Sequence, residues 1–205
     1  AAITALPSTN ANLIYVDDGA AGHYEIYDNV FVQKNFVDAG GYVNFIGDQQ
    51  RLGVWAKVYN NTVYNTTANL MSWEFYDVDS LDFRNNIVYA PNAWVAMGID
   101  YYTEILGSYK NIDYNKYKVN NTNSFAYMQE PWENHPLGNP ETIGWTTWKS
   151  RMGEGTHSEI ATFSFVGGSE FSANSYKLNT GSSGIDEGTT ISSVANDYEG
   201  TARPL

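Results

Sequence analysis

The sequence predicts an all-β chain folded as a parallel β-solenoid. Two observations predict it: a short strand–corner–strand unit that recurs, and a composition suited to strands joined by polar corners. The unit is clearest in Lys57-Val58-Tyr59-Asn60-Asn61-Thr62-Val63-Tyr64. Copies occur at Ile26-Tyr27-Asp28-Asn29-Val30-Phe31, Phe83-Arg84-Asn85-Asn86-Ile87-Val88 and Ile112-Asp113-Tyr114-Asn115-Lys116-Tyr117. Each copy has an apolar residue, two variable residues, Asn, one variable residue, and an apolar or aromatic residue. The markers Asn29, Asn61, Asn86 and Asn115 are 32, 25 and 29 residues apart. A repeat of that length reads as coils stacked on one another, each pairing the backbone edge of the next. Asn suits a tight corner because it tolerates left-handed backbone. Stacked Asn amides can also hydrogen-bond along the stack, as in other in-register β arrays. The alternative is a β-sandwich with four unrelated Asn turns.

The 205 residues read as a single domain able to bury a substantial core. Aromatics make up 15% and include 16 Tyr, while charged residues are only 17%. That balance fits strands with a polar, hydrogen-bonding surface. A net charge of -12 disfavours nucleic acid and anionic membranes as partners. It is compatible with neutral glycans, cations, or acidic glycans bridged by calcium. Cys is absent, so disulfides and thiolate metal sites are excluded. No apolar run is long enough to span a bilayer as a helix, so membrane insertion is not expected. Asn-x-Thr sequons at Asn60, Asn65 and Asn120 matter only in a eukaryotic secretory host. Composition points to a secreted or cell-surface protein of bacterial type.

Residues 1–12 read as an irregular lead-in. The first coil takes strands from Asn12–Val16, His23–Tyr27 and Val30–Val32, with turn signals at Asp17-Asp18-Gly19 and Gly22. The second takes Tyr42–Ile46, Val54–Tyr59 and Thr62–Tyr64. The third takes Leu70–Val78, a turn at Asp79-Ser80, Leu81–Arg84 and Ile87–Tyr89, and Pro91 stops the pairing. The fourth takes Trp94–Asp100, Tyr109–Tyr114 and Lys116–Val119. Residues 1–119 are thus regular coils, and 120–205 a loop-rich closing section. Within it, 120–145 is expected to be a long excursion rich in proline and turn formers. Thr146–Met152 is a helical turn anchored by Trp145 and Trp148. Ala161–Val166 and Tyr176–Leu178 are final β segments.

The closing section resembles a known pattern. It contains Trp145-Thr146-Thr147-Trp148, Gly153-Glu154-Gly155-Thr156-His157-Ser158, Phe163-Ser164-Phe165 and Tyr176-Lys177-Leu178. Ser182-Ser183-Gly184-Ile185-Asp186-Glu187-Gly188 and Asp197-Tyr198-Glu199-Gly200-Thr201-Ala202-Arg203-Pro204 follow. These resemble the closing coils of right-handed parallel β-helix proteins of the pectate-lyase-like superfamily. That resemblance implies a right-handed parallel β-helix and a secreted polysaccharide lyase, glycoside hydrolase or surface protein. It is specific for fold and unspecific for chemistry. It also makes the chain look like the C-terminal part of a longer β-helix, or one whose open ends a partner covers. His157, Ser158, Asp186 and Asp197 are expected to hold loops, and Arg203 to pair with Asp197 or Glu199.

The resemblance implies a substrate groove along the first sheet. Strand alternation predicts Ile14, Val16, Val43, Phe45, Trp73, Phe75, Val95 and Met97 inward. It turns Tyr15, Asp17, Tyr42, Asn44, Glu74, Tyr76, Trp94 and Asp100 outward. Sugars are held by aromatic faces together with fixed polar groups, and this line mixes both. The expected substrate-binding residues are Tyr15, Tyr42, Asn44, Tyr76, Trp94 and Lys57. Glu74, Asp100 and Arg51 are the candidates for catalysis by a lyase or glycosidase, with Glu74–Asp77 and Glu74–Asp100 as nominal carboxylate pairs. Asp17 and Glu74 offer hard oxygen ligands for Ca2+. Arg51, Lys57 and His23 are expected near the groove. The Asp-pair and Gly-His-Gly signatures of a polygalacturonase are absent. The same residues also fit a plain solvated β-face. Two functions therefore stand as expectations: binding or degradation of extracellular polysaccharide, or an assembly module that self-associates or pairs with another chain through its solenoid ends.

Overall fold

The structure, a computed structural model, describes residues 2–4, 14–15, 23–33, 44–47, 54–66, 71–76, 78–100, 109–129, 140–169, 172–197 and 199–202. Successive strands visit three sheets in turn. The first sheet holds β2 (Ile14–Tyr15), β5 (Asn44–Gly47), β8 (Met71–Tyr76), β11 (Val95–Asp100), β14 (Ala126–Gln129) and β15 (Glu141–Ile143). The second holds β3 (His23–Tyr27), β6 (Val54–Tyr59), β9 (Val78–Arg84) and β12 (Lys110–Asp113). The third holds β1 (Ala2–Thr4), β4 (Val30–Gln33), β7 (Thr62–Asn65), β10 (Ile87–Tyr89), β13 (Lys116–Lys118) and β16 (Glu159–Ile160). Neighbours pair in parallel, except β14 with β15, which is antiparallel. A strand therefore meets its partner only after the chain has passed through the other two sheets.

In-register pairing turns each repeated apolar position into an interior row. Ile26, Val58, Phe83 and Ile112 align in the second sheet. Phe31, Val63, Val88 and Tyr117 align in the third, and Phe75, Ile99 and Met128 in the first. These residues are buried in one core. Trp73 sits where the sheets converge, edge-on to Phe31 and Phe83 at 5.8 and 5.7 Å. Each such side chain contributes about 2–3 kcal/mol through removal from water. Helix α1 (Trp145–Met152) buries Trp148 and Met152 in the same core, and Gly153 ends it in a left-handed conformation.

The marker asparagines form a ladder. The backbone N–H and Nδ2 of Asn29 both donate to Asn61 Oδ1, at 3.1 and 3.2 Å. Asn61 donates in the same way to Asn86 at 3.0 and 3.1 Å, and Asn86 to Asn115 at 2.9 and 3.1 Å. The other Nδ2 protons of Asn61, Asn86 and Asn115 go to the carbonyls of Ile26, Val58 and Phe83. These three amides are fully buried, and each finds partners for its donors and its acceptor oxygen. The left-handed residue is the one before each marker: Asp28, Asn60, Asn85 and Tyr114, with φ of 56, 54, 58 and 59°. The corner thus divides two tasks that the sequence assigned to one residue. The marker Asn fills the interior, and its predecessor makes the bend.

Other differences also have local causes. No turn forms at Asp79-Ser80, because β9 runs through it. Trp55 pairs with Ser80 and Val54 with Val78, so Asp79 is the extra residue of a bulge that absorbs the turn signal. The 120–145 stretch is not simply an excursion: β14 continues the first sheet beside β11, and β15 folds back on it. Ala161–Val166 and Tyr176–Leu178 give only one isolated bridge, Phe165 to Leu178. They pack instead as an aromatic layer on the outside of the third sheet, around Tyr64, Tyr89, Phe163, Phe165 and Tyr176.

Candidate functional site

On the first sheet, register pairs Gly98 with Glu74 and Tyr127, and Asp100 with Tyr76 and Gln129. Register thus places Glu74, Gly98 and Tyr127 in one row across the strands, and Tyr76, Asp100 and Gln129 in another two residues further on. The Tyr127 hydroxyl donates to Gln129 Oε1 at 2.6 Å. Trp94, 45% exposed, packs its ring 5.3 Å from that of Tyr127. Glu74 is not the solvent-facing carboxylate that alternation predicts: it is 2% exposed. Strand β8 is buried on both faces from Met71 to Phe75, and a methyl on Gly98 would collide with Met71 Sδ, so the sheet surface beside Glu74 is already filled.

The register of β5 also differs from the expected alternation. Phe45 lies opposite Glu74, and Asn44 opposite Ile14. The pairing of β5 is thus shifted by one residue from the one that the expected alternation implies. Tyr15 pairs with Phe45. Asp17, Tyr42, Arg51, Asp77, Trp132 and Arg203 lie outside the described residues. Lys57 and His23 belong to the second sheet, on β6 and β3.

Calcium needs several hard oxygen ligands converging on one point. Among the described residues no group of three or more His, Cys, Asp or Glu is so arranged. Asp17 lies outside them, so the described residues do not by themselves build the expected site.

The second sheet brings together aromatic and charged side chains that sequence reasoning left unassembled. Ala56 and Val58 point into the core, so Trp55, Lys57 and Tyr59 face out. Trp55, 50% exposed, stacks on His23 with centroids 4.8 Å apart. Lys57 Nζ bonds Glu25 Oε1 at 2.7 Å. Asp82 takes two bonds from Arg84, at 2.6 and 2.8 Å, and one from the Tyr59 hydroxyl at 2.7 Å. Burial first, and then Asp82, push the Tyr59 phenol upward, so it stays protonated and is a poor base. The aromatic and charged period-2 positions of β6 were the available signal. The resemblance, by contrast, implies a groove on the first sheet.

At the end of the ladder, Ser158 stands where a further marker would be. Its Oγ accepts the Asn115 N–H at 3.0 Å. Glu154 accepts from Trp148 Nε1, from the Tyr117 hydroxyl at 2.8 Å and from Asn115 Nδ2 at 3.5 Å. Burial pushes its carboxyl up to about 7, against the opposing pull of those donors. His157 stacks on Tyr114 at 4.2 Å and bonds Asp113 Oδ2 through Nδ1 at 2.8 Å. Gly155 lies so close that a methyl there would collide with the Asp113 carboxylate. Asp197 accepts the N–H groups of Glu199 and Thr201, both at 2.9 Å. Each of these residues holds a loop.

Outside the third sheet, a cleft of about 240 Å³ is lined by Tyr64, Tyr89, Phe163, Phe165 and Tyr176 with serines and glycines, and among the described residues by no carboxylate, cation or histidine. No family model, curated protein or solved structure matches the chain.

Proposed function

We propose that the chain is a right-handed parallel β-helix of the pectate-lyase-like kind that binds extracellular polysaccharide along the outer face of its first sheet. One observation carries the reading: the exposed Trp94 ring rests on Tyr127, whose hydroxyl is bonded to the neighbouring Gln129 amide. Aromatic surface beside fixed hydrogen-bonding groups is what a sugar ring requires. Recognition is favoured over cleavage because a general acid must reach the scissile bond, and Glu74 is enclosed.

The test is a glycan-array screen with and without calcium, combined with ultraviolet detection of unsaturated products. Binding without turnover is expected. Trp94→Ala should weaken it by about tenfold, the loss of one well-packed aromatic contact. Turnover abolished by Glu74→Gln would instead make the chain an enzyme. No glycan binding, with filaments or an obligate complex in sedimentation, would shift the reading to an assembly module joined through its ends.

A further inference from the structure

We propose that the outer face of the second sheet carries a separate subsite in which a neutral hexose ring is sandwiched between Trp55 and Tyr109, above Ser80. Trp55 pairs with Ser80. The Tyr109 carbonyl accepts from Leu81 N–H at 3.0 Å and from Ser80 Oγ at 3.3 Å, which sets Tyr109 one strand beyond Ser80. His23, Trp55, Ser80 and Tyr109 therefore occupy one row along successive strands. His23 covers one face of Trp55. The other face looks along the row, over the short Ser80 side chain, toward Tyr109, which is 61% exposed. The row thus carries an aromatic residue on each side of the short Ser80 side chain.

The width fits. Strands lie about 4.8 Å apart, so Trp55 and Tyr109 stand roughly 9–10 Å apart across Ser80. A ring in van der Waals contact on both sides needs about 7–8 Å between its neighbours. A pyranose has an apolar C–H surface for each aromatic ring and hydroxyls at its rim for the Ser80 hydroxyl. The neighbouring charges select a neutral sugar. Lys57 is bonded to Glu25 and Arg84 to Asp82, so each of these two cations is already matched by a carboxylate. The chain's net charge of -12 opposes uronates further.

Titration of the intact chain with cellohexaose, mannohexaose and hexagalacturonate tests this, read on the Trp55 indole N–H resonance assigned with Trp55→Ala. The neutral oligosaccharides should move that resonance and the uronate should not. Tyr109→Ala should weaken the binding read on this resonance by at least about tenfold. Ser80→Phe, which fills the slot while leaving both rings, should abolish it with an unchanged circular dichroism spectrum. The subsite is overturned if Ser80→Phe binds like the wild type, or if no neutral oligosaccharide moves the resonance. The choice of a neutral sugar is overturned if hexagalacturonate binds equally well. The resonance reports the second sheet alone, so the first-sheet reading and this subsite fail separately.

Discussion

The asparagine corner and the outer face of the second sheet lie on the same strands, yet they follow opposite rules. At the corner, coil after coil places the same residue in the same bonds: Asn29, Asn61, Asn86 and Asn115. On the outer face the row reads His23, Trp55, Ser80, Tyr109, different at each step. The cause is solvent. A buried amide needs each donor and acceptor matched by the next coil, so only the same group repeats. An outward side chain has water as an alternative partner, and its identity is left open to ligands.

The sharpest way to break this contrast is Asn86→Leu, which keeps the volume and deletes the amide. It leaves both donors of Asn61 and the Val58 carbonyl without their partner. We expect a loss of about 4 kcal/mol, several buried polar groups being left unsatisfied at once. Urea denaturation measures it, and a cost below about 1 kcal/mol would mean the ladder contributes little.

A smaller effect comes from the end of the ladder. Glu154 titrates near 4.5 in the unfolded chain and is pushed up to about 7 in the fold. Its protonated form therefore stabilises the fold fully below pH 4.5. As pH rises, the unfolded chain releases its proton first, and this stabilisation is lost through pH 7. The displacement corresponds to about 3 kcal/mol. Urea midpoints at pH 4.5 and pH 7.5, compared between wild type and Glu154→Gln, isolate it from the other carboxylates. Gln is uncharged, so the variant should lack this part of the slope; equal slopes would place the titration elsewhere.

The smallest expected effects lie on the outer face. Trp55→Ala should cost less than about 1 kcal/mol, since the ring is half exposed. Lys57→Ala should cost less than about 0.5 kcal/mol, because both partners of its ion pair are well exposed. A stability loss at Trp55 approaching that of Asn86→Leu would remove the distinction between the two regions.

Much of the fold was legible because periodicity is local. The limits of β3, β6 and β10 follow directly from their apolar alternation, and the four markers announce the ladder. The left-handed residue was misplaced by one position because Asn suits both an interior amide and a bend, and in two coils Asn occupies both places (Asn60-Asn61 and Asn85-Asn86). Asp79-Ser80 read as a turn because a bulge uses the same residues as a turn. Ala126–Gln129 was passed over because the prolines that follow it signalled a loop. The candidate site was less legible. Glu74 looks exposed by alternation, but alternation does not report what covers the outer side of a strand.

The sequence by itself determined the repeat, the interior rows and the residue type at each corner, because these depend on spacing along the chain. Only the tertiary structure decided which coils meet. It brought Tyr109 beside Ser80 and Trp55, handed the ladder from Asn115 to Ser158 and Glu154 across a 43-residue gap, and enclosed Glu74. The physical reason is that a parallel strand meets its partner only after a full circuit. Every lateral neighbour is thus set by the length of an intervening loop, which apolar periodicity does not encode.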